Sequence, residues 1–312
     1  MATPRRPFAA PGTLPQPCSR PTGPEPSVNA NVDGVEYLHW TAERPELRDP
    51  IMIAAFEGWG DAGDAATTAA RHVRDRLGGE TFAEIDPEPF YDFATTRPFV
   101  RLDDGERHID WPANEFAAIQ LPKAKRDLLI LVGIEPQLRW RTFTREIVSM
   151  IDEFDVKLVV SLGALIADVV HSRPATVYSS GYDAELNERL DLEPSTYEGP
   201  TGIVGVLHDA LRVHGTGSVS LWGTIPGYVP NATSPKAALA LVERVSQLLD
   251  LSIPTTALEI GAAAYERQIS ELVDDNDETR AYVAQLEETY DSMRPESGAA
   301  LIEELEEYLR DR

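Results

Sequence analysis

The chain has 312 residues, of which 42% are hydrophobic and 26% charged, so it is long enough and apolar enough to bury a sizeable core. Its formal net charge is -24, with a sequence pI near 4.6. This charge argues against nucleic acid or an anionic membrane surface as the main partner, because both would repel the protein.

The first segment, residues 1–32, is rich in proline, and its composition predicts disorder. The only cysteine, Cys18, lies there, so an intrachain disulfide and a cysteine-based zinc site are excluded. The segment lacks the apolar stretch of a secretory signal, and no apolar run in the chain reaches the roughly 18 residues of a membrane span. We therefore expect a cytoplasmic protein.

Residues 33–254 have the pattern of an α/β core domain. Buried strands are predicted at IMIAAFE (51–57), DLLILVGIE (127–135), KLVVSLGAL (157–165) and SVSLWGTIPGY (218–228), and helices at 64–77, 140–154, 201–214 and 234–251. This alternation predicts a largely parallel sheet covered by helices on both faces. A hairpin predicted at 99–112, turning at Asp104-Gly105, adds an antiparallel or mixed portion.

Residues 255–312 form an acidic helical extension. From Glu266 onward the chain carries 15 acidic residues against 5 arginines, which indicates a solvated helical face or a docking surface for a basic partner. A coiled-coil-like seam at spacings of 4 and 3 runs through Leu258, Ala262, Tyr265, Ile269, Leu272, Asn276, Thr279, Val283, Leu286, Tyr290 and Met293. Either this seam packs on the core as an amphipathic helical hairpin, or it forms a protruding arm for self-association or partner contact. A further short helix is predicted at 300–310.

The loop FEGWGDAG (56–63) joins a strand to a helix through glycines, as phosphate-binding loops do. Its carboxylates Glu57, Asp61 and Asp64 would oppose an anion more strongly than the helix dipole attracts it. We therefore predict a close-packed turn in which Asp61 or Asp64 caps the following helix. Trp59 is expected at an exposed rim or a subunit contact.

Common catalytic and cofactor motifs are missing from the sequence. No HExxH or HxH spacing supports a metal site, and GxSxG, GxxxxGK[ST] and GxGxxG are absent. We therefore predict no metal and no cofactor.

The remaining candidate site comes from topology, because ligands of open parallel sheets bind beyond the carboxyl ends of the strands. Glu57 and Glu135 follow two such strands and could form an acid/base pair, or could instead accept hydrogen bonds from backbone N–H groups in the loops. The residues expected at this ligand or interface rim are Glu57, Gly58, Trp59, Asp61, Glu135, Arg139, Trp140, Gly163, Tyr228 and Asn231.

Three segments together resemble the proteasome assembly chaperone 2 family, in its actinobacterial, ATP-independent branch. They are FEGWGDAGDAA (56–66), LVGIEPQLRW (131–140) and WGTIPGYVPNATSPKAALALVERV (222–245), within a similarity that spans about residues 35–290. The resemblance implies a three-layer αβα sandwich with a core like that of nucleoside phosphorylases, self-association, and a role in proteasome assembly.

The resemblance also implies a docking route that this sequence does not match. Archaeal and eukaryotic members of the family dock on the proteasome α-ring through a C-terminal hydrophobic-Tyr-any residue ending. Here Tyr308 lies four residues from the terminus instead of second to last.

Three hypotheses follow for the function of the chain. The first is a non-enzymatic, homo-oligomeric chaperone-like protein that binds itself and proteasome subunits. The second is a small-ligand binder or a hydrolase- or phosphorylase-like enzyme that uses Glu57 and Glu135. The third is an oligomeric scaffold held together by its C-terminal helices.

Overall fold

The computed structural model describes residues 36–190, 192–195 and 197–293. The predicted disordered leader (1–32) and the predicted helix at 300–310 lie outside these residues. Within them, the strands are β1 Leu38–Trp40, β2 Ile51–Glu57, β3 Glu80–Ile85, β4 Phe99–Asp103, β5 Glu106–Asp110, β6 Asn114–Ile119, β7 Leu128–Ile134, β8 Leu158–Ala167, β9 Val177–Gly181, β10 Glu193–Pro194 and β11 Gly217–Pro226. The α-helices are α1 Ala65–Arg76, α2 Trp140–Glu153, α3 Ala184–Leu190, α4 Ile203–His214, α5 Pro235–Leu249, α6 Thr256–Asp274 and α7 Asp277–Met293.

Nine strands form one mixed sheet in the order β1-β3-β6-β7-β2-β8-β11-β9-β10. The four central strands β7, β2, β8 and β11 run parallel to one another. Strands β6, β3 and β1 continue the sheet antiparallel on one side, and β9 pairs antiparallel with β11 on the other. The predicted α/β class with a mixed, largely parallel sheet is confirmed.

Strand β2 explains why the molecule has three layers. Ile51, Ile53 and Ala55 face one side of the sheet and pack with α1 and α5. Met52 and Phe56 face the other side and pack with α2 and α4. Because successive side chains of a strand point to opposite faces, an uninterrupted apolar run requires cover on both faces. This arrangement is the predicted αβα sandwich.

The hairpin at 99–112 forms as predicted, but its place in the fold differs from the prediction. Strands β4 and β5 pair only with each other among the described residues, as a separate two-stranded sheet. The antiparallel part of the main sheet comes instead from short strands at its two sides. Of these, β3 and β6 match the runs ETFAEID (80–86) and EFAAIQL (115–121), from which the sequence predicts strands. The others, β1, β9 and β10, were not predicted, because they are brief, partly exposed segments at or next to the sheet edges without a clear apolar period.

The C-terminal helices α6 and α7 pack on the core. Of the two alternatives for the seam, the structure therefore matches the amphipathic helical hairpin. Leu258 belongs to the core cluster on the α5 side of the sheet. Tyr265, Ile269 and Val273 of α6 form a smaller cluster with Val283 of α7. The seam prediction was wrong at Leu272, which is exposed while Val273 is buried.

The seam is also not one continuous helix. α6 ends at Asp274 and α7 begins at Asp277, with the side-chain oxygen of Asn276 accepting from Thr279 N at 2.9 Å. None of the helices formed by the described residues combines the length and the apolar character needed to cross a bilayer.

Candidate functional site

Glu57 and Glu135 lie side by side at the carboxyl edge of the sheet, because β2 and β7 are neighbours in register. Glu57 pairs with Ile134, and the backbone N–H of Glu135 donates to the carbonyl of Glu57 at 2.8 Å. The loops that follow β2 and β7 therefore leave the sheet together. We call this edge of the sheet the rim.

Each of the two carboxylates has a structural partner. Glu57, whose side chain is partly exposed, forms an ion pair with Arg71 of α1. Glu135 accepts from Ile203 N at 2.7 Å with one oxygen and from Trp59 N at 3.4 Å with the other. Ile203 is the first residue of α4, so the Glu135 carboxylate lies against the positive end of that helix dipole. The sequence left two roles open for Glu135, a catalytic acid or base and an acceptor of backbone hydrogen bonds. In the structure Glu135 accepts hydrogen bonds from backbone N–H groups.

Gly58 allows this close contact between the two loops. Its φ of 129° lies in a region that residues with a Cβ rarely adopt. A Cβ at this position would also lie 3.1 Å from the Cβ of Glu135. The next residue, Trp59, is 65% exposed and approaches Gly202, where an added Cβ would lie 3.2 Å from its ring.

Asp61 is the residue that caps α1. Its carboxylate accepts from Ala66 N at 2.7 Å and from Thr67 N at 3.3 Å, and also from the Thr67 hydroxyl. Burial raises the pKa of this carboxyl, and these hydrogen bonds partly offset that effect. Asp64 directly precedes the helix but makes no capping hydrogen bond. The loop 56–63 is thus a turn in which the buried Asp61 carboxylate caps the N-terminus of α1.

Arg139 and Trp140 lie near the rim but turn to other partners. The Arg139 guanidinium donates to the Tyr37 hydroxyl at 3.5 Å, and the Trp140 indole donates to the carbonyl of Pro136. They do not complete a pocket around the two carboxylates. A cavity of about 310 Å³ lies instead at the opposite edge of the sheet, between α3 and the end of α4.

Gly163 lies inside its strand, because β8 continues to Ala167, two residues beyond the predicted end at residue 165. A Cβ on Gly163 would lie 2.6 Å from the ring of Trp222 on the neighbouring strand β11. Trp222 is therefore a site residue that the sequence analysis missed. Its only signal was the glycine itself, since a glycine inside an apolar strand indicates close approach of a bulky group.

Tyr228 and Asn231 also do not join the two carboxylates in a pocket. The Tyr228 hydroxyl accepts from His171 N at 2.8 Å and lies 2.7 Å from His171 Nδ1, in the small cluster beneath α6 and α7. Asn231 is exposed in the turn before α5. The prediction was incomplete because sequence could not place the C-terminal helices over this end of β11.

Eight exposed hydrophobic side chains belong to segments that leave the sheet at the rim. Strand β3 runs parallel to β7 because both are antiparallel to β6, so the segment from β3 to β6, with its hairpin, leaves the sheet at this edge. The loops after β2 and β7 and the loop before α4 join it there. We define the apolar rim as Trp59, Phe99, Val100, Leu102, Ile109, Trp111, Leu138 and Tyr197.

A buried hydrogen-bonded group of polar side chains lies inside the sandwich. The sequence analysis did not predict this group. His208 of α4 lies 2.7 Å from the Ser161 hydroxyl through Nε2 and 2.9 Å from the Ser218 hydroxyl through Nδ1. His208 and Ser161 are fully buried, and Tyr182 stacks on the imidazole at 4.3 Å. Burial lowers the pKa of His208 to about 3, so the imidazole is neutral. The group ties α4 to the sheet.

The described residues also contain no ready-made metal site. Among residues 36–190, 192–195 and 197–293, no three His, Cys, Asp or Glu side chains are grouped so that they could hold a metal ion.

Comparison with known proteins places this geometry in a family. Residues 55–273 match the model of the PAC2 family. The chain is similar to a PAC2 family protein from Streptomyces avermitilis MA, with 45% identity over 75% of this chain and 100% of that chain and a TM-score of 0.71. It is also similar to a proteasome-assembly chaperone homologue from Mycobacterium tuberculosis, with 40% identity over 75% of this chain and 99% of that chain and a TM-score of 0.68.

A more distant structure shares the fold. An archaeal proteasome activator from Pyrococcus furiosus is 22% identical over 76% of this chain and 98% of its own length, with a TM-score of 0.62. A search of curated proteins found no match.

Proposed function

Because the chain belongs to the PAC2 family, we propose that it is a chaperone-like protein that self-associates, binds proteasome subunits and assists their assembly. The comparison that supports this most directly is the proteasome-assembly chaperone homologue from Mycobacterium tuberculosis, nearly all of which this chain covers. The lone cysteine, Cys18, fits a reducing compartment, so we place this activity in the cytoplasm.

The apolar rim is the observation that carries the proposal. Four of its exposed members are aromatic, namely Trp59, Phe99, Trp111 and Tyr197. Aromatic residues are enriched at protein interfaces because they combine a large apolar area with few rotatable bonds. An exposed apolar group of this size marks an interaction surface in a protein that otherwise carries a strong charge.

The engagement of Glu57 and Glu135 favours this role over catalysis at the rim. An acid/base pair needs a carboxylate free to exchange a proton with a bound substrate. Here Arg71 holds Glu57, and the backbone N–H groups of Ile203 and Trp59 hold Glu135. These contacts tie the loop after β2 to α1 and the loop after β7 to the start of α4.

The test is assembly of an actinobacterial 20S proteasome from purified α and β subunits, followed on native gels with and without the chain. We expect faster assembly and a complex between the chain and free subunits. Trp59→Asp should abolish both effects, because it puts a charge into the apolar rim.

Val213→Asp is the matched control for Trp59→Asp. Val213 is 74% exposed near the end of α4, which leads into the start of β11 at the opposite edge of the sheet. Unchanged assembly together with no complex would rule out the proposed role. If Trp59→Asp and Val213→Asp lose assembly and subunit binding equally, the apolar rim is not the binding surface.

A further inference from the structure

The hairpin β4–β5 is the most exposed ordered element of the apolar rim. All ten of its strand residues are exposed, and its two strands have no other backbone partner among the described residues. At its base, Trp111 packs on Phe93 with ring centroids 4.8 Å apart, which anchors the hairpin to the domain. An isolated two-stranded hairpin is only marginally stable in water, so this one requires further contacts.

The two faces of the hairpin differ in character. Val100 and Leu102 of β4 share one face with their cross-strand partners Ile109 and Arg107. On the other face, Arg101 forms ion pairs with Asp103 and Asp110. The apolar face is therefore uncovered, while the polar face is already paired within the hairpin.

The apolar surface that the hairpin exposes is large enough to form a substantial part of a protein–protein interface. Val100, Leu102, Ile109 and Trp111 are 49% to 67% exposed. With side chains of this size they leave on the order of 350 Å² of apolar surface in solvent, within the range of the largest patches found on monomers. Phe99 adds an exposed ring on the opposite face, where it pairs with Asp110. Each partner of a standard interface buries about 800 Å², so the apolar face of the hairpin supplies somewhat less than half of that area.

The outer edge of β4 offers backbone groups for pairing. The hairpin turns at Asp104 and Gly105, both with positive φ, and Asp103 pairs with Glu106 directly across this two-residue turn. In such a hairpin the flanking pair is hydrogen-bonded, and alternate residues then direct their N–H and C=O groups outward. Leu102 is one of these outward-directed residues.

The sequence of β4 is complementary to itself when it runs antiparallel. If Leu102 of one copy lies opposite Leu102 of another, the two residues exchange N–H to carbonyl hydrogen bonds across the two-fold axis. Arg101 of each copy then lies opposite Asp103 of the other, so opposite charges meet twice.

We propose that the outer edge of β4 pairs antiparallel with the same edge in a second copy of this chain, with the two Leu102 residues opposite each other. The pairing joins two hairpins into one four-stranded sheet and brings the two apolar faces onto one side, where they form a continuous surface. It specifies the self-association that forms part of the proposed function, but it does not depend on the role in proteasome assembly.

Disulfide trapping tests the pairing and its register. In full-length chain carrying Cys18→Ser, we expect Leu102→Cys to give a disulfide-linked dimer on mild oxidation, detected on a non-reducing gel. Phe99→Cys, which is equally exposed on the same strand, lies away from the two-fold axis in this register. It should remain monomeric on the gel, as should the remote Val213→Cys. Equal cross-linking of the three variants, or none with Leu102→Cys, would overturn the proposal.

Sedimentation velocity gives the second measurement. Leu102→Asp should sediment as a smaller species than the unsubstituted chain, and Val213→Asp should not. Because Leu102 is 67% exposed, its substitution leaves the core intact, and an unchanged melting temperature verifies this. A monomeric unsubstituted chain, or an unchanged oligomer with Leu102→Asp, contradicts the pairing.

The two proposals can fail separately. If Leu102→Asp dissociates the chain but the unsubstituted chain has no effect on proteasome assembly, the pairing stands and the chaperone role falls. If Leu102→Asp instead loses subunit binding while the oligomer stays intact, the hairpin is a docking element for proteasome subunits and the pairing is wrong.

Discussion

At the scale of single residues, His208 shows how one buried side chain links stability to pH. The neutral imidazole donates from one ring nitrogen and accepts at the other, which satisfies the hydroxyls of Ser161 and Ser218. A protonated ring would carry an unpaired charge within the sandwich. This is the physical reason why burial lowers the pKa of His208 to about 3.

The pH dependence follows from this depressed pKa. Between the unfolded value near 6.5 and the folded value of about 3, only the unfolded chain binds the proton, so the free energy of unfolding falls as the pH falls. The slope from this group is at most about 1.4 kcal/mol per pH unit, and it vanishes above pH 6.5 or so. We expect urea melts of His208→Gln between about pH 6.5 and 5 to lack this part of the slope.

The exposed histidine His39 supplies the control, since His39→Gln should keep the full slope of the unsubstituted chain. A slope that His208→Gln leaves unaltered would mean that the buried imidazole does not titrate on unfolding.

At the scale of elements, α6 is attached to the core through a hydrogen-bonded chain. The Ser270 hydroxyl donates to the carbonyl of Glu266, so it accepts from Nε2–H of His171. Nδ1 of His171 then accepts from the Tyr228 hydroxyl. Burial raises the pKa of Tyr228 to about 12, so its hydroxyl keeps its proton and remains a donor.

We expect Tyr228→Phe to loosen α6 and α7, because it removes a buried hydroxyl that bonds both the backbone and the ring of His171. A lost hydrogen bond of this kind costs about 1 to 2 kcal/mol, which corresponds to roughly tenfold faster local opening. Amide hydrogen exchange of residues 256–293 measures this local opening, and the amides should exchange faster in Tyr228→Phe than in the unsubstituted chain.

Tyr282→Phe provides a matched comparison. The Tyr282 hydroxyl donates to Asp168 at 3.1 Å near the surface, and exposed hydrogen bonds contribute little. Equal protection in the two variants would show that the Tyr228 hydroxyl does not hold the helices.

At the scale of the whole molecule, the net charge of -24 opposes any self-association. Two copies that pair through the hairpin bring like charges together, and salt screens this repulsion over a Debye length of about 10 Å at 0.1 M. We therefore expect the dimer to tighten severalfold as salt rises from about 0.05 M to about 0.5 M, as measured by analytical ultracentrifugation.

Leu102→Asp should stay dissociated across the same salt range. If salt instead weakens the dimer, the local pairs between Arg101 and Asp103 dominate the interaction and the overall charge does not.

The sequence by itself determined the layers of this protein. Runs such as IMIAAFE (51–57) are apolar at every position, which requires cover on both faces of a strand, and alternation with helices then fixes a sandwich. Local chemistry was partly readable: of the two acids predicted as the cap of α1, Asp61 takes that role, accepting from Ala66 N at 2.7 Å. The two-residue turn at Asp104-Gly105 closes the hairpin as predicted.

Only the tertiary structure decided what each rim residue contacts. Glu135 meets the first turn of α4, 68 residues further along the chain, and Gly163 meets Trp222 on the neighbouring strand. Tyr228 is covered by helices that follow it in sequence. Such pairings depend on strand order and helix placement, which no local pattern specifies. The sequence therefore determined which segments form buried strands and helices, and the order of the strands in the sheet determined which side chains meet at the rim.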